Sequence, residues 1–274
     1  RKKKEGRFPV YQTTERPDRA AQAILEGRVV LLTDNSPEAL IFPATLNSLF
    51  QTADDYYRNE RIVTFLRLIR YVAAFLALAL PGLYVAAATF HPQLLPGNLI
   101  RSMAEARSGV PFPTAAEVLL MELSFELLRE AGLRMPGPAG NTIGIVGGLI
   151  VGQAAVSANL VSPITVTVAA LTALGSFSIP NEELSEVFRL WKYGILLLGS
   201  CFGILGVMLG CFLLLMLMAE QESYGIPWLY PYVGGNLNER ADEKDSMFLA
   251  AARKRKRRPI FAKWGNRIRF RRKS

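Results

Sequence analysis

The sequence has little of what most enzymes and metal sites are built from. It holds one histidine, His91, and two cysteines, Cys201 and Cys211. His91 has no cluster of cysteine or carboxylate around it. The cysteines stand ten residues apart in one apolar stretch. On a single helix they cannot meet, so no disulfide joins them. No HExxH, CxxC or GxSxG occurs, and no glycine-rich phosphate loop follows a strand. Ser-His chemistry, Cys-His chemistry and metal-assisted hydrolysis have no footing. The reading is of a non-enzyme, with no catalytic residue, no metal and no cofactor expected.

Charge is also missing, but only in places. Residues 71–90 and long stretches of 142–218 are nearly free of it, while both ends are dense in it. Half of the residues are apolar and the mean hydropathy is positive, +0.21. That is the layout of an integral membrane protein with soluble flanks. The opening RKKKEGRFPVYQ has neither an initiator methionine nor a signal-peptide pattern. It reads as an internal piece of a longer chain.

What is present falls into three parts. Residues 1–60 read as the C-terminal part of a cytosolic α/β domain. ERPDRAAQAILEG is a short helix, with Pro17 near its start and Gly27 after its end. RVVLL and ALIF are short strands joined by the turn-rich TDNSPE. In TADDYY, Thr52 and Asp55 suit a capping box that opens a helix, which then runs on through RNERIVTFLRLIRYV. Residues 61–222 form the transmembrane domain, with segments at about 71–90, 142–160, 163–179 and 192–218. Pro81 and Gly82 predict a kink and are hinge candidates. Segment 142–179 either spans twice or enters and returns as a hairpin. Gly144, Gly148 and Gly152 repeat every four residues, as do the pairs Gly199 with Gly203 and Gly206 with Gly210. That spacing lets membrane helices pack closely. Residues 223–274 read as a cytosolic basic tail, with aromatic residues at its start suited to a membrane interface. From Arg253 to Ser274 it carries twelve Lys or Arg and no acid. Beside membrane segments, anionic lipid is its expected partner rather than nucleic acid.

The helix PFPTAAEVLLMELSFELLREAG carries the sharpest functional signal. Between about 113 and 131 it sets Glu122, Glu126 and Glu130 at i, i+4, i+8 on one face. Like charges at that spacing repel, so the stripe does not serve helix stability. Two readings stand side by side: an amphipathic helix whose acids are solvated at the membrane surface, or a face lining a cation path. Gln153 is a further pore-lining candidate. Arg129 lies near enough in sequence to pair with the stripe. The basic residues before the first segment and in the tail put both termini in the cytosol, which requires an even number of crossings. The acidic stretch 181–186 then fits the outer side. The fold class is a polytopic α-helical membrane protein of about four segments, with a small α/β remnant at the N-terminus.

Stretches such as TERPDRAAQAILEGRVVLL, LALALPGLYVAAATFHPQLLP, GVPFPTAAEVLLMELSFELLREAGLRMP and GNTIGIVGGLIVGQAAVSANLVSPITV, in this order, resemble the A-subunit family of GerA-type bacterial spore germinant receptors. That family includes the spore-formation protein SpoVAF. The resemblance runs from about residue 13 to about 235. It implies a multi-pass protein of the inner spore membrane that works with a transporter-like B subunit and a lipoprotein C subunit. It also implies a homo-oligomer, a pentamer, forming a nutrient-gated channel that releases ions at germination. The alternatives are a membrane scaffold that recruits receptor partners and a secondary transporter, though no internal repeat supports the last.

Overall fold

The computed structural model describes residues 7–134, 138–233, 245–250 and 259–262, with side chains left out between 138 and 146. The chain is mostly helical and divides into two compact units. One comprises Arg1–Val72, Ile179–Val187 and Leu214–Ser274; the other comprises Ala73–Ser178 and Phe188–Leu213.

In the first unit, Pro17 starts α1 (Pro17–Glu26), and Gly27 ends it in the left-handed conformation at φ 90°. Strands β1 (Gln12–Thr14), β2 (Val29–Leu31) and β3 (Ala39–Phe42) form an antiparallel sheet in the order β1-β3-β2. Val29 lies opposite Phe42, and Gln12 opposite Ile41. Helix α2 (Leu46–Phe50) is capped by Thr45, whose hydroxyl accepts from the Ser48 N–H. The Thr52–Asp55 capping box forms, but around a short 3-10 turn, Ala53–Tyr56. A separate helix, α3 (Glu60–Thr89), then begins. Asn59 caps it by accepting from the Arg61 N–H.

The C-terminal part of the chain completes this unit instead of trailing from it. The strands β4 (Glu222–Ser223) and β5 (Ile226–Pro227) pair with each other. Trp228 is wholly buried and donates through Nε1 to the Pro9 carbonyl at 2.8 Å, while its own carbonyl accepts from the Leu46 N–H. An interfacial aromatic was expected here. A large ring whose one donor is satisfied inside gains more from burial. Further along, Asp245 accepts from Arg67 and Tyr56, and its carbonyl accepts from Asn47 and Gln51. Residues 221–233 and 245–249 thus hold the N-terminal sheet and α2 together. Most of the basic run 253–274 lies outside the described residues.

The second unit is a helical bundle. After α4 (Gly97–Arg107) come α5 (Thr114–Arg134), α6 (Pro138–Ser157), α7 (Pro163–Phe177), α8 (Glu182–Phe202) and α9 (Ile204–Glu220). Tyr84 and Val85 of α3, Met103 of α4, Val118 of α5, Val168 of α7 and Leu196 of α8 share one buried cluster. So α5 and α7 begin at the level where α3 and α8 finish.

The expected single segment at 192–218 is instead two antiparallel helices. The chain reverses at Gly203, whose φ of 64° a side chain would oppose. A Cβ on Gly206 would lie 2.0 Å from the Leu198 carbonyl oxygen, and one on Gly210 would lie 2.9 Å from Ile195. The glycine repeat therefore folds the chain back on itself. Among the described residues, α3 is the one helix long and apolar enough to cross a membrane by length and composition, and Pro81 does not interrupt it. Gly147–Ser157, Pro163–Phe177 and Ile204–Glu220 are shorter apolar helices.

Candidate functional site

Helix α5 carries the acids, and its neighbours decide what they are. It packs along α6 and α7. Gly147 and Gly148 allow the contact with α6, since a Cβ at each would meet Leu128 and Phe125 at 2.7 and 3.3 Å, while Gly152 lets α6 approach Val166 of α7. The helix runs lengthwise among apolar helices, so it does not lie across the bundle as a surface helix would.

Each acid has a cation. Glu117, fully buried, accepts from Arg107 Nε at 3.0 Å through Oε1. Its Oε2 accepts from the Ser162 N–H at 3.0 Å and the Thr165 hydroxyl at 3.1 Å. This carboxylate holds α4, α5 and the start of α7 together, and Ser162 in turn caps α7. Glu122, 2% exposed, accepts from Lys192 Nζ of α8 at 2.6 Å. The same ammonium lies 4.9 Å from the centre of the Tyr193 ring. Glu122 Oε1 finds no hydrogen-bond partner among the described residues. Glu126 accepts from Arg189, one turn back on α8. Glu130 pairs along its own helix, with Arg134 at 2.7 Å, and both are exposed. Arg129 donates to Ser176 Oγ and lies over the Phe177 ring.

Three acids therefore pair within the bundle, and two of their cations come from α8. Opposite charges in a low-dielectric setting offset part of the cost of leaving water, which is how an acidic helix can lie among apolar ones. Arg189 and Lys192 stand three apart on one face of α8, matching acids four apart on an antiparallel partner, and that spacing is the mark they leave in the sequence.

The other candidates scatter. Gln153 is exposed. Gly82 and Gly199 face each other: a Cβ on Gly199 would lie 3.0 Å from the Gly82 carbonyl oxygen. Gly144 lies in α6, but its surroundings fall outside the described side chains. Among the described residues no group of three or more His, Cys, Asp or Glu could hold a metal ion. A polar cavity of about 40 Å³ in the first unit is lined by Glu26, Arg28, Gln51, Tyr56 and Asp245. It has room for a few waters and not for a metabolite.

Residues 2–261 match the model described as Bacillus/Clostridium GerA spore germination protein. The chain belongs to the GerA spore germination family. It is 43% identical over 244 residues to the membrane protein YfkQ of Bacillus subtilis (strain 168), covering 89% of this chain and 47% of that one. It is 42% identical to spore germination protein GerLA of Bacillus cereus, covering 82% of this chain and 46% of that one. Spore germination protein A1 of Bacillus subtilis (strain 168) gives 42% with the same coverage, 82% and 46%. This GerA-family chain spans about half the length of the relatives it matches. No solved structure matches it.

Proposed function

We propose that this chain is the membrane part of a GerA-type germinant receptor subunit, which assembles with further copies into a nutrient-gated cation channel. Its partners are a transporter-like B subunit and a lipoprotein C subunit, and the basic tail rests on anionic lipid. The observation that carries the reading is α5 itself: an acidic helix set among apolar ones, its charges matched by α8. Ionisable groups at such positions are costly and mark ion pathways more often than inert packing. Large apolar side chains stand exposed on the bundle, among them Leu171, Leu174, Leu197, Leu205, Met208 and Phe212. Lipid and neighbouring copies cover them in this reading.

In this reading the number of crossings is even, so both termini lie on the cytosolic side of the spore's inner membrane. The shorter helices meet the hydrocarbon by local thinning and tilt. Around the axis of the oligomer, Glu130 and Gln153 face water first. Glu122 and Glu126 join the path where their cations release them.

Potassium efflux from liposomes holding the full-length protein and its partner subunits tests this. Wild type is compared with the combined Glu122→Gln, Glu126→Gln, Glu130→Gln variant at matched oligomer content. Loss of flux or of cation preference in the variant places the stripe on the path. Unchanged flux moves the pore to α6–α9. A complete complex that never conducts gives the role to a scaffold subunit.

A further inference from the structure

We infer that the paired charges between α5 and α8 form a conformational latch, which holds the bundle closed and parts when it switches state. The inference rests on the channel reading above, but its observations are its own. Helix α5 lies closely against α6 and α7 through apolar side chains and glycines. Its tie to α8 has a different character. Lys192 reaches Glu122, Arg189 reaches Glu126, and the Tyr193 hydroxyl reaches the Glu122 carbonyl at 3.5 Å. These are long, polar side chains spanning two helices, one turn apart.

Such a tie can exist in two discrete states. When closed, each acid is neutralised by a cation of α8. When α8 shifts, the acids need new counter-charges, and cations entering from water supply them. The two rungs differ. Glu122 and Lys192 are 2% and 5% exposed, whereas Glu126 is 34% exposed. The Glu126–Arg189 rung is thus the one water reaches first, and parting proceeds from it toward Glu122. Gly203 supplies the pivot, since α8 joins α9 through a single left-handed residue.

The test uses the full receptor complex in liposomes, with Cys201 and Cys211 replaced by alanine and Leu196→Cys added as reporter. Leu196 sits in the buried cluster beside Val118 of α5, at 2% exposure. Two quantities are read without nutrient: potassium leak, and the labelling rate of the reporter by a membrane-impermeant cationic methanethiosulfonate. Arg189→Gln is compared with wild type and with the charge swap Glu126→Arg/Arg189→Glu. Glu126→Gln serves as a second variant should Arg189→Gln fail to assemble. Arg189→Gln is expected to raise both leak and labelling on the order of tenfold, and the swap to bring both back toward wild type. If labelling rises and falls in this way but nothing leaks, the latch stands and the channel reading fails. If labelling is equal in all variants, the latch is overturned, whatever the leak.

Discussion

Asp55 and Glu122 are both about 2% exposed, and each meets its burial differently. Asp55 accepts from Arg67 Nε, from both terminal nitrogens of Arg70 and from the Thr52 hydroxyl. Burial pushes its carboxyl up, but the Arg70 hydrogen bonds, the Arg70 charge, Thr52 and Arg67 together hold it below the usual range. A depressed carboxyl contributes stability that is fully present above its unfolded value of about 3.9 and is lost as pH falls through its folded value. Thermal unfolding in detergent should therefore show stability declining as the pH drops below about 4. In Asp55→Asn that part of the decline should be absent. Asp55→Ala removes the carboxylate that Arg67 and Arg70 share, leaving the buried Arg67 with Asp245 as its counter-charge, and should cost about 3 kcal/mol. For Glu122 the informative measurement is a cycle. Lys192→Met alone leaves a buried carboxylate unmatched and should cost about 3–5 kcal/mol, whereas Glu122→Gln/Lys192→Met should cost clearly less. A double variant as unstable as the single would mean that packing, not charge, dominates the site. The acids of α5 were visible in the sequence as a stripe. Their partners were not, because Arg189 and Lys192 stand 63 and 70 residues away and only the stacking of the helices brings them near.

Among the elements, the α8–α9 hairpin gives the sharpest contrast. Gly194 has nothing within 4 Å of a built Cβ, whereas Gly206 would meet the Leu198 carbonyl oxygen at 2.0 Å. Gly194→Ala should be neutral or stabilising by up to about 1 kcal/mol, since alanine favours a helix interior. Gly206→Ala should destabilise by roughly 1–3 kcal/mol, because two backbones must move apart. Unfolding midpoints of the two variants, taken side by side, settle the point. Equal effects would mean that α8 and α9 do not touch as described. GILLLGSCFGILGVMLGCFLLLMLM read as one continuous helix because every residue in it tolerates one. Four-spaced glycines fit a straight helix packing on neighbours as well as a chain packing on itself. The α1 boundaries and the β2–β3 pairing were legible because their signals, Pro17, Gly27 and TDNSPE, act within a few residues.

At the scale of the molecule, the two ends of the sequence meet in one unit. Ser223 Oγ donates to the Val10 carbonyl at 2.8 Å, and Trp228 donates to Pro9. The sequence alone assigned residues 1–60 and 223–274 to separate parts. Nothing local to either says that they pair, for the contacts join residues more than two hundred apart. Trp228→Ala should cost about 3–5 kcal/mol and loosen the N-terminal sheet along with the tail. Hydrogen exchange at residues 39–50 reports this. Faster exchange confined to 221–233 would show that the tail is only draped on the sheet.

The pairing of α5 with α8 also sets a schedule. Glu122 leaves the ribosome 70 residues ahead of Lys192. At about 5–20 residues per second, that is an interval of about 4–14 s in which the acids of α5 have no cation from α8. During that time α5 has little reason to settle among apolar helices. It stays near water or is held by whatever receives the nascent chain, and it takes its place only when α8 arrives. Assembly at the centre of this bundle is therefore delayed until α8 is made: a chain stalled before Arg189 leaves Glu122 and Glu126 without the cations that α8 supplies.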